Sequence, residues 1–198
     1  CLTHDCTLRC AYCYAGEKRK VVMPFETAHQ AIDFAVARHN RLIEGDRFVL
    51  GFLGGEPLLE WALLQHSDAY AAEKCKAAEL RFARTLTTNL TLLTRERTEW
   101  LKARDYWCGF SLDGTKAAHD AFRRYADGRS SFDDCLAALG RARDVGLRGE
   151  IVAVVNPSTA GTLAESVRFL TGLGYAVSVN VNFLASWDDA ACTALEGA

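Results

Sequence analysis

Long apolar runs are missing from this chain. No stretch reaches the roughly 20 residues a membrane-spanning helix needs without polar interruption, so no membrane association is expected. A secretory signal ahead of the first cysteines is missing as well. Charge of one sign is scarce: 23 Lys plus Arg stand against 25 Asp plus Glu, a formal charge of −2, which gives no general electrostatic case for nucleic-acid binding. The pattern of a small disulfide scaffold is lacking too. The eight cysteines are spread over 198 residues, and 49% of the chain is apolar, so it can build a core without covalent staples. A single domain in a reducing, cytoplasmic setting follows as the expectation. The abrupt start at Cys1 leads us to expect that a segment precedes it.

Against that background, three cysteines stand within eight residues, Cys6, Cys10 and Cys13 of CTLRCAYC. Such a short loop brings its thiolates toward one centre. Three readings are open: small buried residues, zinc ligands completed by Cys1, His4 or Asp5, or ligands of an iron–sulfur cluster. No fourth cysteine stands at matching spacing, so a four-cornered cluster would keep one corner open to another ligand.

The remaining sequence alternates strand and helix patterns. Cys1 to Thr3 reads as the end of a strand that delivers the cysteine loop. Pro24 opens a helix to Asn40, with apolar residues at Ala28, Ile32, Ala35 and Val36. Strands are expected at Arg47–Phe52, Thr85–Thr88, Tyr106–Leu112, Ile151–Val155 and Tyr175–Phe183. Helices are expected at Trp61–Phe82, Arg95–Lys102, Ser131–Val145, Thr162–Leu173 and Trp187–Leu195, with Asp113–Arg129 a polar connection. Six strands interleaved with helices favour a parallel sheet covered by helices, with the active edge at the strand C-termini.

Several polar segments fall at that edge. Gly54-Gly55-Glu56 ends a strand, where a tight turn before Pro57 explains the glycines. Asp113-Gly114 reads as a turn and Arg123 as a solvated cation. Asn89 either caps the following segment or hydrogen-bonds a ligand. Cys75, Cys108, Cys135 and Cys192 lack compact spacing and read as core residues. His29, His39 and His66 lie on predicted helices, and no constellation identifies a catalytic base.

Taken in order, these segments resemble the radical S-adenosylmethionine family. Its Cys-x3-Cys-x-aromatic-Cys pattern stands here as Cys6, Cys10, Tyr12 and Cys13, and its GGE segment as Gly54, Gly55 and Glu56. SLDG with HDxxR, holding Ser111, Asp113, His119, Asp120 and Arg123, resembles peptide-modifying members, including anaerobic sulfatase-maturating enzymes. Thr88-Asn89 resembles a TNG segment with Leu90 in place of glycine. The resemblance implies an α/β fold, an incomplete (β/α)6 TIM-like barrel, with residues 1–198 its core domain.

It further implies that Cys6, Cys10 and Cys13 hold a 4Fe-4S cluster, whose fourth iron is chelated by S-adenosylmethionine. Reductive cleavage then yields a 5'-deoxyadenosyl radical. Glu56 lies with Gly54 and Gly55 toward the methionine amino group, and Ser111 and Arg123 toward its carboxylate. Tyr12 packs the loop or touches the nucleoside, Val154 lines the adenosine side, and Leu184 contacts adenine or sits in the core. The implied activity is oxidative modification of a peptide or protein side chain, with flavodoxin or ferredoxin as electron donor. A later SPASM domain would carry additional 4Fe-4S clusters. A small-metabolite or carbohydrate enzyme of the same family and a zinc-stabilised interaction module are the competing readings.

Overall fold

A computed structural model describes residues 1–42 and 46–198. Five strands, β1 Arg47–Phe52, β2 Arg81–Thr88, β3 Trp107–Ser111, β4 Gly149–Val155 and β5 Ala176–Val181, form one sheet in the order β1-β2-β3-β4-β5. Every neighbouring pair is parallel. Helix α1 Phe25–Leu42 precedes the strands, and α2 Trp61–Ala77, α3 Arg95–Ala103, α4 Lys116–Asp120, α5 Phe132–Asp144, α6 Leu163–Thr171 and α7 Asp189–Glu196 intervene or follow. Sequential order without reversal curls a parallel sheet toward a barrel. Because β1 and β5 remain its two edges, the barrel is incomplete, as the family resemblance implies.

Strand periodicity separates two faces. Leu86, Cys108, Phe110, Ile151, Ala153 and Val155 are buried against the helices. Thr87, Ser111, Val152 and Val154, the residues between them, line a cavity on the concave face. The same alternation that builds the core therefore aims a mixed row, a threonine and a serine with two valines, at the candidate site.

Three expectations are corrected by this architecture. Cys1–Thr3 is no strand: Thr3 makes an isolated antiparallel bridge to Val22, and the carbonyls of Thr3 and Asp5 accept from the backbone of Gly55 at 3.2 Å and Glu56 at 2.9 Å. The segment thus lies beside the end of β1, where a first strand would lie, without a ladder. Second, α2 stops at Ala77, and β2 begins at Arg81 inside the stretch expected to be helical. Leu80 N bonds Cys75 O and Glu79 N bonds Lys76 O around Glu79 at φ 55°, a left-handed helix cap made without glycine. Third, Asp113–Arg129 holds α4 and two backbone bridges, Leu8 to Tyr125 and Arg124 to Ser130.

Among the later cysteines, Cys75, Cys108 and Cys135 are buried as expected, but Cys192 is exposed on α7. The core is closed at the other end of the sheet by buried Asp68, whose Oδ1 accepts from Tyr106 Oη at 2.9 Å and Arg84 Nε at 2.5 Å. Those bonds tie α2 to β2 and the start of β3, away from the cysteine loop. Among the described residues no helix is long and apolar enough to cross a membrane.

Candidate active site

The cysteine loop is fastened along its length. Leu8 is fully buried, Arg9 N donates to Arg124 O at 2.8 Å, and Ala11 N donates to Phe122 O at 3.1 Å. A turn closed by Cys13 N on Cys10 O, 3.1 Å, then brings the third cysteine back. Cys6, Cys10 and Cys13 all reach the wall of one cavity of about 500 Å³ at the C-terminal edge of the sheet. That volume lies in the range of small-molecule sites.

The donor set suits a cluster better than one ion. All eight cysteines are free thiols. Among the described residues, no three His, Cys, Asp or Glu side chains converge closely enough to hold a single metal ion. A cluster instead lets each sulfur bind its own iron. Two candidates for a fourth zinc ligand are engaged: Cys1 Sγ donates to Thr3 O at 3.0 Å, and Asp5 Oδ1 accepts from Cys6 N at 2.8 Å. Burial pushes the Cys6 thiol up, and pushes Cys10 up to about 11 against the Arg123 guanidinium. Thiolates in such a place need a metal's positive charge to compensate their desolvation.

Asp113 gathers three segments beside the cavity. Its Oδ2 accepts from Tyr12 Oη and pairs with Arg123 Nε at 2.9 Å, while Oδ1 accepts from Val154 N at 3.0 Å. The cysteine loop, the turn that follows α4 and strand β4 meet on one carboxylate. Burial above all, with the Asp113 charge adding and Arg123 opposing, holds the Tyr12 phenol neutral far beyond its ordinary range. Arg123 itself is pinned from behind: buried His119 contacts Ser131 Oγ at 2.9 Å, and that hydroxyl donates to Arg123 O at 2.8 Å. Ser111 and Arg123 both line the cavity. Sequence reading took Asp113 as a turn residue and missed this role; its signal was the acidic residue two positions after Ser111 at the end of a strand.

The GGE segment divides into two parts. Gly54, at φ 127°, and Gly55 line the cavity, and a methyl group on Gly55 would overlap the Asp5 carbonyl oxygen. The Glu56 carboxylate, by contrast, is fully buried beneath the wall. Its Oε1 accepts from Leu58 N at 3.1 Å and Thr88 Oγ1 at 2.9 Å, and Oε2 from Asn89 N at 2.8 Å. Burial pushes this carboxyl up to about 7 despite those donors.

Asn89 Nδ2 donates to Cys6 Sγ at 3.3 Å and to Thr7 Oγ1 at 3.0 Å, while its Oδ1 accepts from Thr91 N at 3.1 Å. The capping role expected of this side chain is seen in the bond to Thr91 N, and its nitrogen bonds a cysteine sulfur of the loop. Leu90 takes φ 73°, the conformation a glycine would favour, and its side chain is fully buried. Val154 and Tyr12 stand on the cavity wall, and Leu184 at its rim is 84% exposed, which removes the core alternative for that residue. Lys18 Nζ, which sequence reading did not single out, lies 2.6 Å from Cys13 Sγ.

The sequence pattern of the Radical SAM superfamily matches residues 1–170. The chain belongs to the radical SAM superfamily. An uncharacterized protein of Methanocaldococcus jannaschii is 31% identical over 173 residues, 87% of this chain and 57% of its own length. A serine-type anaerobic sulfatase-maturating enzyme of Bacteroides thetaiotaomicron is 28% identical over 162 residues, 78% of this chain and 38% of its own. The chain spans only about half the length of the curated relatives it matches. Among solved structures, native anSMEcpe with bound AdoMet and Cp18Cys peptide superposes with a TM-score of 0.80 at 20% identity, over 90% of this chain and 48% of that one. Streptococcus suis SuiB bound to precursor peptide SuiA gives 0.66 at 18% identity, over 91% and 38%. These likenesses show the radical SAM fold, and they leave the site to be argued from the residues above.

Proposed function

We propose that this chain is the radical-generating core of an enzyme that oxidatively modifies a peptide or protein side chain. The observation that carries the reading is the convergence of three free cysteines and an Asp113-held Arg123 on the lining of one cavity. Cys6, Cys10 and Cys13 would hold a 4Fe-4S cluster, and Arg123 with Ser111 would orient the carboxylate of S-adenosylmethionine. Gly54 and Gly55, on the cavity lining, would offer their backbone to the methionine amino group, while their lack of side chains lets the segment holding Cys1, Thr3 and Asp5 pack against them. When bound there, the cluster and S-adenosylmethionine supply one-electron cleavage to a 5'-deoxyadenosyl radical, a hydrogen abstractor.

Residues of the chain then bind and shield. Tyr12 and Val154 form the wall, and buried Glu56 fixes the positions of Asn89 and Thr88 behind it. Leu53, Tyr14, Phe183 and Leu184 make an exposed apolar rim, 53%, 70%, 86% and 84% accessible. An extended peptide can cover such a rim, whereas a small metabolite or carbohydrate would leave it wet; this favours the peptide reading. The bound peptides named for anSMEcpe and SuiB point the same way. A one-electron donor such as flavodoxin or ferredoxin, a cytoplasmic location consistent with eight free thiols, and auxiliary clusters in a SPASM domain belong to the same proposal.

Anaerobic reconstitution with iron and sulfide, followed by reduction with S-adenosylmethionine and peptides encoded beside this gene, tests it. Expected are a brown protein, cleavage of S-adenosylmethionine, and a peptide lighter by two hydrogens. Replacement of Cys6, Cys10 or Cys13 abolishes cleavage. A colourless protein with stoichiometric zinc would overturn the proposal, and turnover of a small metabolite with no credible peptide modified would overturn its substrate.

A further inference from the structure

The three thiols differ in what surrounds them. Cys6 Sγ accepts from two nitrogens, Leu8 N at 3.5 Å and Asn89 Nδ2 at 3.3 Å. Cys13 Sγ receives only the ammonium of Lys18, on a flexible four-carbon stem, and Cys10 Sγ receives no donor among the described residues. The donor to Cys6 is rigid. Asn89 is 93% buried as a residue, its N donates to Glu56, and its carbonyl accepts from Cys135 Sγ at 3.1 Å. Thr91 settles which way the amide points: its backbone N and Oγ1 both donate to Asn89 Oδ1, at 3.1 and 2.7 Å, so the nitrogen faces the sulfur.

A plain structural role would need only half of this side chain. The turn after β2 is closed through Oδ1, and Leu90, in its left-handed conformation there, donates its N to Thr88 Oγ1 at 3.1 Å. The Nδ2 bond to Thr7 closes a ring with Thr91 Oγ1, which lies 2.7 Å from Thr7 Oγ1, whereas the Nδ2 bond to Cys6 adds nothing to that turn and reaches across to the cysteine sulfur. An N–H directed at a cluster thiolate stabilises the more electron-rich, reduced state, and in a buried site that interaction is weakly screened.

We propose that Asn89 is a positioning residue for Cys6 whose amide N–H raises the reduction potential of the cluster. The proposal rests on the reading that Cys6, Cys10 and Cys13 bind a 4Fe-4S cluster. Asn89→Asp is nearly isosteric and keeps an acceptor for Thr91, but replaces the donor with a negative oxygen. Thr91→Val removes one of the two bonds to Oδ1 and leaves the donor in place.

The test is an anaerobic redox titration of the reconstituted protein, followed by electron paramagnetic resonance, with iron and sulfide content measured on each sample. Loaded Asn89→Asp should be harder to reduce by about tenfold in the equilibrium, about 59 mV for a one-electron couple. Thr91→Val should titrate with the wild type. Should Asn89→Asp fail to load, wild-type protein carrying ¹⁵N in asparagine side chains should show a ¹⁵N coupling to the reduced cluster. Equal potentials in loaded wild type and Asn89→Asp, or no such coupling, would overturn the role of Asn89. A wild type that takes up no iron and sulfide would instead overturn the proposed function beneath it.

Discussion

At the scale of single residues, Glu56 shows how a buried carboxylate is made to serve architecture. Three donors from two chain segments converge on it, yet removal from water outweighs them and pushes it up to about 7. Its native pKa lies above the unfolded value near 4.5, so the native state holds the proton more tightly. The stabilisation linked to that proton is fully present below about pH 4.5 and is lost as pH rises through about 7. Buried His119, lowered to about 4 by burial, has the opposite sign: its share is present above the unfolded value of 6.5 and is lost as pH falls through about 4. Comparing wild type with Glu56→Gln cancels the histidine. Urea unfolding from pH 5 to 8 should show the wild type losing, relative to Glu56→Gln, on the order of 3 kcal/mol as pH rises. A pH-independent difference would show that Glu56 titrates normally.

Elements were legible where periodicity was strong and illegible where a stop signal used an unusual residue. β1, β4 and α5 fall close to the expected bounds because apolar spacing and acidic first turns announce them. The end of α2 did not announce itself. Nature's usual residue at a left-handed cap is glycine, as Gly146 illustrates after α5 at φ 68°, whereas α2 uses exposed Glu79 at φ 55° and α3 uses Asp105 at φ 58°. The consequence is testable because Glu79 buries nothing. Glu79→Gly should relieve left-handed strain and raise stability by about 1 kcal/mol, read as a higher urea midpoint with an unchanged slope. A lower midpoint would mean that the greater freedom of glycine in the unfolded chain dominates. The same logic bears on Leu90: its left-handed turn was invisible from composition, since burial of the leucine side chain offsets the backbone strain that glycine would avoid.

Across the whole molecule, the site is assembled from pieces far apart in the chain, and sequence alone could order them without joining them. The cysteine loop, Gly54-Gly55 and Ser111 with Arg123 were legible as separate motifs; Asp113 as the anchor that joins Tyr12, Arg123 and Val154 was not, because a carboxylate's partners about 100 and 41 residues away leave no local pattern. The absent first strand has the same cause, since two backbone bonds to Gly55 and Glu56 fix the segment where a six-stranded count places a ladder. Those bonds make the N-terminal segment dependent on β1's end, while the bonds to Phe122 and Arg124 secure its far side. At Gly55 the chain leaving β1 lies close against the segment that leads into the cysteine loop. Gly55→Ala would drive a methyl into the Asp5 carbonyl, one residue before Cys6, and the loop has to shift because β1 is held by the sheet. Overpacking of this kind costs about 1–3 kcal/mol. Far-UV circular dichroism of the variant should match the wild type, its Tm should fall, and its iron uptake on reconstitution should drop well below that of a parallel wild-type sample. Full iron uptake at an unchanged Tm would show that the loop is seated without the Gly55 contact, leaving the bonds to Phe122 and Arg124 to place the three cysteines.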